Sequence, residues 1–490
     1  MDAALPPPNQ TLSFGEKVRR AVIWRSGSQI LAQLVQWAAT FGVIRILQPA
    51  DYGLYAMTGV VLAFLNLLNG YSLASGLVRQ PTVTPLQVRQ LFGLLLLLNA
   101  ILAAIQFAAA PLVASYYRQD AVATMLRVQC LLYLATPFIA LPGALLARDM
   151  DFTKQARVNI LASIAGAATA LGGALAGWGV WTLVWAPIVL FVARAIGMTL
   201  AARSLVRPSF RFGGAGDLLR YGGVATAGQF FWFAQVQADV VIAGRHFNAH
   251  DVGLYTTALF LTQIFQNKVV PPLNEVAFSA YARLHADGGA VGQAFLRSAA
   301  VILAAALPIY LGMAATAEPL VRVALGEHWA EAAPLVRLLG CALPFMTLYV
   351  LMPPATDALG RPGVGVRASA IGAVLLPAVY LIGVRWGPEG LAAAWLLTQP
   401  LMLAILAARA LPVLGLSVRD VAAAMAPATR AALAMAVAVI ALDRAIDSMP
   451  LLPRLLLLVC TGAATYASWL FAFSRPTVDA LITLVRRQAD

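Results

Sequence analysis

Charged and amide side chains inside the apolar blocks of this chain are the residues whose chemistry stands out. A charge in a hydrocarbon layer is costly, so such a residue is a functional hypothesis by default. Basic side chains can bind anions, a carboxylate can carry a proton or a cation, and amides can hydrogen-bond hydroxyl groups. The candidates are Arg25, Arg194 and Lys268 (basic), Asp239 (acidic), and Gln29, Gln33, Gln36 and Gln229 (amides).

Each candidate also has a structural interpretation. Arg25 and Lys268 can extend their charges to lipid phosphates at the interface. Asp239 can pair with Arg245, although six residues is a poor spacing for a direct bridge on one helix. The amides of Gln29, Gln33 and Gln36 recur at i, i+4 and i+7, so they share one helix face and can line a path or bond to a neighbouring helix.

The elements that position these residues are predicted to be membrane-spanning helices. The chain has 490 residues, of which 61% are hydrophobic and only 11% charged. Its apolar residues form blocks of about 20, the length that crosses the hydrocarbon layer as a helix. Fourteen spans are predicted, at 21–45, 51–77, 89–114, 122–147, 157–177, 180–203, 219–244, 251–278, 297–317, 331–356, 364–384, 388–409, 421–441 and 452–473.

The basic residues predict the orientation of the chain. With the N-terminus in the cytoplasm, 22 Lys and Arg residues fall in cytoplasmic segments and 9 on the opposite side. The positive-inside rule therefore places both termini of this multi-pass protein in the cytoplasm. Because the basic residues are scattered between apolar blocks, the net charge of +13 does not indicate nucleic-acid binding.

Several other classes of site are disfavoured by the sequence. Cys130, Cys341 and Cys460 each lie inside an apolar block, where they are expected to pack. His246 and His250 are four residues apart but have no third ligand nearby, so no metal site is predicted. No Gly-rich nucleotide-binding motif ending in Lys-Ser or Lys-Thr occurs, and no cofactor is predicted.

A repeated pentapeptide divides the chain into two similar halves. "DYGLY" at 51–55 and "DVGLY" at 251–255 are offset by 200 residues, and Arg45 falls on Arg245 at the same offset. The first six spans are thus repeated by the next six, and two further spans follow. Since six is even, both copies have the same orientation, and parallel repeats of this kind are typical of transporters that alternate access between two lobes.

The predicted fold is an all-α polytopic membrane protein with two six-helix lobes, related by a pseudo-two-fold axis normal to the membrane, plus two C-terminal helices. The predicted segments are a cytoplasmic N-terminal segment (1–20), an N-lobe (21–205), a linker (206–218), a C-lobe (219–412), spans 13 and 14 (413–475) and a cytoplasmic tail (476–490).

Several stretches of the chain resemble a known family. They are "WRSGSQILAQ" and "RILQPADYGLYAM" in the first half, "GWGVWTLV" at 177–184, "QADVVIAGRHFNAHDVGLYTTA" at 237–258 and "NEVAFSAYARL" at 274–284. They are similar to polysaccharide transporters (Wzx-type lipid-linked oligosaccharide flippases) of the multidrug/oligosaccharidyl-lipid/polysaccharide superfamily. The resemblance implies a flippase that moves an undecaprenyl-diphosphate-linked oligosaccharide from the cytoplasmic to the outer face of the inner membrane.

This resemblance suggests roles for the candidate residues. Arg25, Lys268 and Arg194 would bind the diphosphate. Gln29, Gln33, Gln36 and Gln229 would line the glycan path, and Asp239 would couple transport to an Na+ or H+ gradient. Membrane lipids are expected partners, together with a polysaccharide polymerase and glycosyltransferases.

Alternative functions remain open at this stage. A cation-coupled drug exporter or a lipid II flippase would share the two lobes. A membrane polysaccharide polymerase or ligase is a different class, but it would be expected to carry a large outer loop with catalytic Arg and His residues. A scaffold of a polysaccharide assembly complex would not need polar residues in its spans.

The pentapeptide itself is best explained as a structural turn. Asp51 is placed to cap the span that follows, and Tyr55 can lie in the outer aromatic belt. Asp251 and Tyr255 are expected to repeat this arrangement. The alternative is a gate or hinge at the outer mouth, formed by Arg45 and Arg245 with Asp51 and Asp251.

Overall fold

The computed structural model describes residues 32–69, 74, 83–210, 231 and 233–474. These residues are almost entirely helical. Nine helical segments among them are long and apolar enough to cross a membrane. One of the nine, Gly363–Leu414, has 52 residues and a 3-10 turn at Val384–Trp386, so it corresponds to two of the predicted spans. The all-helical, multi-pass fold class predicted from the sequence is confirmed.

The helices are numbered in chain order. The first group comprises α1 (described over 32–46), α2 (Pro49–Asn66), α3 (Pro85–Tyr117), α4 (Asp120–Gln129), α5 (Leu131–Ala135), α6 (Pro137–Arg148), α7 (Phe152–Leu175) and α8 (Trp181–Ala202). The second comprises α9 (233–246), α10 (Ala249–Thr262), α11 (Ile264–Lys268), α12 (Val270–Ala286), α13 (Val291–Ala315), α14 (Ala317–Ala324), α15 (Ala333–Leu351) and α16 (Pro353–Ala358). The chain continues with α17 (Gly363–Gly383), α18 (Gly387–Leu414), α19 (Val418–Ala445) and α20 (Leu451–Phe473).

The chain divides into two compact units. The first takes in the described parts of Met1–Ile46 and Val61–Thr226, and the second takes in Leu47–Val60 and the described parts of Ala227–Asp490. The first turns of α2 therefore pack with the second unit, although they are close in sequence to the first. This assignment brings the two copies of the repeated pentapeptide into one unit.

Local side-chain chemistry explains where several helices begin. Thr84 and Gln87 form a capping box ahead of α3, and Pro85 occupies the first turn, where its missing N–H is not needed. Asp151 caps α7 by accepting a hydrogen bond from the backbone N–H of Lys154. Partial burial acts to raise the pKa of Asp151, but the hydrogen bonds and charge of Lys154 outweigh it and lower that pKa.

Close helix packing in the first unit depends on small residues. Helices α7 and α8 form a tight antiparallel pair, in which a Cβ atom at Gly166 would lie 2.9 Å from the Cβ of Leu190. The turn between them contains Gly177 at φ +75°, a backbone conformation that L side chains rarely adopt. The "GWG" motif is therefore a connection between two paired helices.

The segment following the second pentapeptide is a broken helix. The break between α11 and α12 falls at Val269, two residues before the Pro271-Pro272 pair that the sequence predicts to kink this span. A further break occurs at Gln263, between α10 and α11. Lys268 consequently lies in the last turn of a five-residue helix rather than in the middle of a straight span.

The C-terminal helices α19 and α20 form a hairpin that packs on α13. Their connection is held by Arg454, which is 7% exposed. Its guanidinium donates to Asp443 Oδ1 at 2.7 Å and to Asp447 Oδ1 at 2.6 Å. A guanidinium with two carboxylate partners tolerates burial that an unpaired cation would not.

Candidate functional site

The polar centre of the second unit begins on one face of α9. Gln235, Asp239 and Ala243 are spaced four residues apart and are all buried. That spacing places them one above another on the face that packs into the unit. Asp239 is only 1% exposed, so its carboxylate lies inside the helix bundle and away from lipid.

The carboxylate of Asp239 accepts hydrogen bonds on both oxygens. The backbone N–H of Val240 donates to Oδ1 at 2.8 Å, and the hydroxyl of Tyr255 on α10 donates to Oδ2, also at 2.8 Å. Both donors are neutral. A buried carboxylate in this setting can exchange a proton or a cation without first breaking an ion pair to one of these partners.

Two aromatic residues enclose the Asp239–Tyr255 pair. The indole N–H of Trp395 on α18 donates to the Tyr255 hydroxyl oxygen at 2.9 Å. The Tyr380 ring on α17 stacks on Trp395 at a centroid distance of 6.4 Å and an interplanar angle of 24°. The Asp239 site therefore consists of Asp239, Tyr255, Tyr380 and Trp395, contributed by four helices.

A glycine on α17 makes room for the amide of Gln235. A Cβ atom at Gly372 would lie 2.9 Å from the Gln235 amide carbon and 2.8 Å from Met402. Contacts this short are essentially never seen for real Cβ atoms. Gly372 thus lets α17 approach α9 beside the Asp239 site.

Two expectations about this region are corrected by the structure. The carboxylate of Asp239 bonds to Tyr255 and Val240, and not to Arg245 as the ion-pair alternative suggested. Tyr255 is fully buried, so it does not lie in an aromatic belt. The reason is that Tyr255 faces the carboxylate one helix away, and a sequence pattern along one helix does not show this partner.

The two copies of the pentapeptide meet each other at their glycines. A methyl group added at Gly53 would overlap the carbonyl oxygen of Ala249, and one added at Gly253 would overlap the carbonyl oxygen of Pro49. The N-terminal turns of α2 and α10 are thus in reciprocal backbone contact. We refer to residues 49–53 and 249–253 as the paired turns.

The paired turns are capped in different ways. The carboxylate of Asp51 accepts a hydrogen bond from the backbone N–H of Gln48 at 3.1 Å. Gln48 precedes α2 and Asp51 is the third residue of that helix, so this bond is not the predicted cap of the free N–H groups inside α2. In the second copy, Asn248 is the cap and accepts from the backbone N–H of Asp251 at 2.8 Å. The expectation that Asp251 caps α10 is therefore wrong, because Asn248 already occupies the preferred N-cap position.

The remaining candidate residues are distributed over the two units. In the first, Gln33 and Gln36 are half-buried on α1, Arg45 is exposed near its end, and Arg194 is half-buried on α8. In the second, Lys268 is exposed and Arg245 is half-buried on α9. Arg25, Gln29 and Gln229 lie outside the described residues.

Sequence analysis missed three residues of the Asp239 site. The sequence pattern predicts Tyr255 in the outer aromatic belt and does not single out Tyr380 or Trp395. Their signal in the sequence is weak, since an aromatic residue in an apolar span is usually a packing residue. The presence of a phenol and an indole opposite an intramembrane carboxylate becomes evident only once the helices are assembled.

The fold is shared with solved structures of membrane transporters. It is similar to the solved structure "Lipid II flippase MurJ, inward closed conformation", with a TM-score of 0.74, 12% identity, and coverage of 93% of this chain and 100% of that one. It is also similar to an inward-facing multidrug resistance MATE family transporter of the MOP superfamily, with a TM-score of 0.56, 13% identity, and coverage of 76% and 92%. The protein thus has the fold of these polytopic transporters.

Residues 43–334 match the family described as polysaccharide biosynthesis protein, and the chain belongs to that family. This confirms the resemblance seen in the sequence. The succinoglycan biosynthesis transport protein ExoT of Rhizobium meliloti is 27% identical over 65% of this chain and 65% of its own length. The lipopolysaccharide biosynthesis protein WzxC of Escherichia coli is 21% identical over 79% and 80%.

Proposed function

We propose that this protein is a flippase for undecaprenyl-diphosphate-linked oligosaccharides in the bacterial inner membrane. It moves repeat units from the cytoplasmic to the outer face for the assembly of exopolysaccharide, capsule or O-antigen. Family membership, the fold of MOP superfamily transporters and the transport role named for a relative support this class. The observation that carries the mechanism is the carboxylate of Asp239, buried among neutral donors inside the second unit.

Asp239 is proposed as the group that couples transport to an ion gradient. Binding or release of a proton or Na+ changes the charge of a buried group, and a charge change there shifts the balance between alternative packings. Trp395 donates to Tyr255 and Tyr255 donates to Asp239, so a change of charge on the carboxylate alters the hydrogen bonds of both side chains. These side chains belong to α18 and α10, whose packing therefore depends on the charge of Asp239. Which side of the membrane the two lobes open to then depends on whether Asp239 has bound the ion.

The lipid-linked substrate requires cations for its diphosphate and hydrogen-bonding groups for its glycan. Arg25, Arg194 and Lys268 are proposed to bind the diphosphate, since charge-assisted bonds offset the cost of removing phosphate from water. The glycan path is assigned to Gln29, Gln33, Gln36 and Gln229. Membrane lipids surround the protein, and a polymerase and glycosyltransferases are its proposed partners.

The paired turns are proposed to form the outer gate. The positive-inside rule places the loops at Arg45 and Arg245 on the outer face, with both termini in the cytoplasm. Reciprocal contact at Gly53 and Gly253 supports a closed position of this gate. Asp51 and Asp251 belong to the helix starts that would move apart on opening.

Deletion of the gene in its native host tests the proposed function. We expect undecaprenyl-diphosphate-linked repeat units to accumulate in the cytoplasmic leaflet and polymer to be lost, with recovery by the wild-type gene. Asp239→Asn should not restore polymer, whereas Asp239→Glu, which keeps the carboxyl group, should restore part of it.

Other outcomes would assign the protein elsewhere. Accumulation on the outer leaflet would indicate a polymerase or ligase, and accumulation of lipid II would indicate a lipid II flippase. A deletion strain with normal polymer and no accumulated intermediate would refute the proposal.

A further inference from the structure

Two neighbouring cavities lie in the second unit, and the smaller is lined by Tyr380 and Trp395 of the Asp239 site. The larger has a volume of about 390 Å³, and its walls include Asn274, Asp357 and Ser369. The smaller has a volume of about 20 Å³ and is lined in part by Gln235 and Trp395. Tyr349 lines both cavities, so they are neighbours in the fold.

The smaller cavity has the size and polarity of a water site. A space above roughly 10–15 Å³ holds one water molecule when several polar groups surround it. Within the described part of the chain, Gln235 is 8% exposed and its Oε1 atom has no hydrogen-bond partner. Gln399 and Tyr380 add polar groups to the same wall. A water at this position would satisfy the Gln235 carbonyl.

Trp395 connects the smaller cavity to the carboxylate. It lines the cavity and also donates its indole N–H to Tyr255, which donates to Asp239. A route from the larger cavity to Asp239 therefore passes Tyr349, which lines both cavities, and then Trp395, which bonds to Tyr255.

We propose that the two cavities form a proton route that connects Asp239 with the side of the membrane on which Asp357 lies. Asp357 is in the short connection between α15 and α17, which the positive-inside rule assigns to the cytoplasm. The inference rests on the proposed coupling role of Asp239 and deepens it by naming the ion and the side of the membrane with which the carboxyl group exchanges it. A proton passes along single waters, whereas a hydrated metal cation does not fit the smaller cavity.

The transfer step conserves protons. When Trp395 moves off Tyr255, a protonated water in the route gives one proton to the Tyr255 hydroxyl oxygen. Tyr255 passes its own proton to Asp239 Oδ2, and the water is left neutral. The net change is one proton moved from water to the carboxylate, with no other reactant consumed.

The groups that titrate near this route are few. Among the described residues, Tyr255 on α10 and Tyr380 on α17 are the titratable side chains that interact electrostatically with Asp239. Helix α18 contributes Trp395, which does not titrate. Tyr349 on α15 lines both cavities, and Asp357 lines the larger one. Asp239 and Asp357 are therefore the two carboxylates of the route, one at each end.

Labelling of Asp239 by a hydrophobic carbodiimide, which reacts with protonated carboxyl groups, tests the route. The full-length protein is used in inside-out and right-side-out membrane vesicles, with the pH on each side set separately and labelling read by peptide mass spectrometry. We expect the rate to follow the pH on the cytoplasmic side alone, falling by up to about tenfold per pH unit within the titration range.

A covalent adduct that blocks the larger cavity is the second test of the route. Cys130, Cys341 and Cys460 are replaced by alanine, Ser369→Cys is introduced, and a small methanethiosulfonate reagent is attached. We expect the adduct to slow Asp239 labelling severalfold. The matched control is Ala393→Cys, which lines a separate groove of about 490 Å³ in the same unit and whose adduct should change nothing.

The two proposals fail in different ways. If Asp239→Asn supports normal polymer in cells, the coupling role is wrong. A second outcome is an inactive Asp239→Asn variant together with Asp239 labelling that is unchanged by the Ser369→Cys adduct, or that depends on the pH of the outer side. In either case the coupling role stands and the proposed route is wrong. If replacing Na+ by choline changes the labelling rate at constant pH, the ion is Na+ and the proton assignment is overturned.

Discussion

At the scale of single residues, the most informative group is the carboxylate of Asp239. Its burial is tolerated because both oxygens accept hydrogen bonds, one from the backbone and one from Tyr255. Tyr255 in turn accepts from Trp395, so two side chains, Asp239 and Trp395, depend on one phenol. The phenolic oxygen is thus the centre of the site as well as a partner of Asp239.

Tyr255→Phe removes this centre with little change in shape. It leaves Asp239 without one donor and the Trp395 indole N–H without its acceptor. Each buried polar group left unpaired costs about 1–3 kcal/mol, so we expect a clear fall in the free energy of unfolding. Thermal unfolding in detergent measures this fall, with Tyr116→Phe at an exposed tyrosine as the control. An unchanged midpoint for Tyr255→Phe would show that the hydrogen-bond chain does not form.

At the scale of elements, the structure depends on how helices start and how closely they approach. Helix α7 starts at Asp151, which caps it, and the Nζ of Lys154 lies 2.9 Å from Asp151 Oδ2 and stabilises the charged carboxylate. Helices α2 and α10 start at the paired turns, where the absence of two Cβ atoms allows backbone contact. The first feature fixes a helix in place, and the second lets two helix ends meet.

The Asp151 cap predicts a pH-dependent contribution to stability. Its pKa is lowered in the folded state, so the contribution is present above the unfolded-state pKa and is lost as the pH falls through the folded-state pKa. Asp151→Ala should cost about 1 kcal/mol at neutral pH, the usual value of an N-cap. Unfolding midpoints of the two proteins should converge in acid. A difference that stays constant down to low pH would contradict the charge-assisted cap.

A single methyl group is expected to open the backbone contact between the paired turns. Gly53→Ala should force α2 away from the Ala249 carbonyl, because the methyl group and the oxygen would overlap. Labelling of Leu254→Cys, whose site is 3% exposed, by a membrane-impermeant maleimide on intact cells should therefore increase. These measurements use a background in which the three native cysteines are replaced.

Gly59→Ala is the matched control on the same helix, since a Cβ atom there has nothing within 4 Å. Its labelling should equal that of the unsubstituted background. Equal labelling in the Gly53→Ala protein would show that the turns are already apart in the membrane.

At the scale of the whole molecule, charge distribution predicts how the chain lies in the membrane. Cytoplasmic loops are expected at 203–219 and 279–296, and the loops at Arg45 and Arg245 are expected on the outer face. Alkaline phosphatase fused at residue 288 should be inactive, and the same enzyme fused at residue 247 should be active. The opposite result at both positions would show that the chain has the inverse orientation in the membrane. The proposed proton route would then open to the outer side.

The amino-acid sequence by itself determined the class of this protein. Apolar blocks of membrane-spanning length predicted a polytopic helical fold, and the repeated pentapeptide and family motifs predicted a polysaccharide transporter, because these signals are local and survive as patterns along one chain. The Pro271-Pro272 pair likewise predicted a break in its helix, since a missing N–H acts within one turn.

Only the tertiary structure decided what surrounds the key residues. Asp239 was selected from the sequence by its charge, but its partners Tyr255, Tyr380 and Trp395 lie 16 to 156 residues further along the chain. The pentapeptide was interpreted as two separate turns, yet the structure brings the copies together at Gly53 and Gly253. Hydrogen bonds and close contacts between helices depend on how the helices are rotated and packed, and one helix's sequence does not specify which side chain of another helix it will meet.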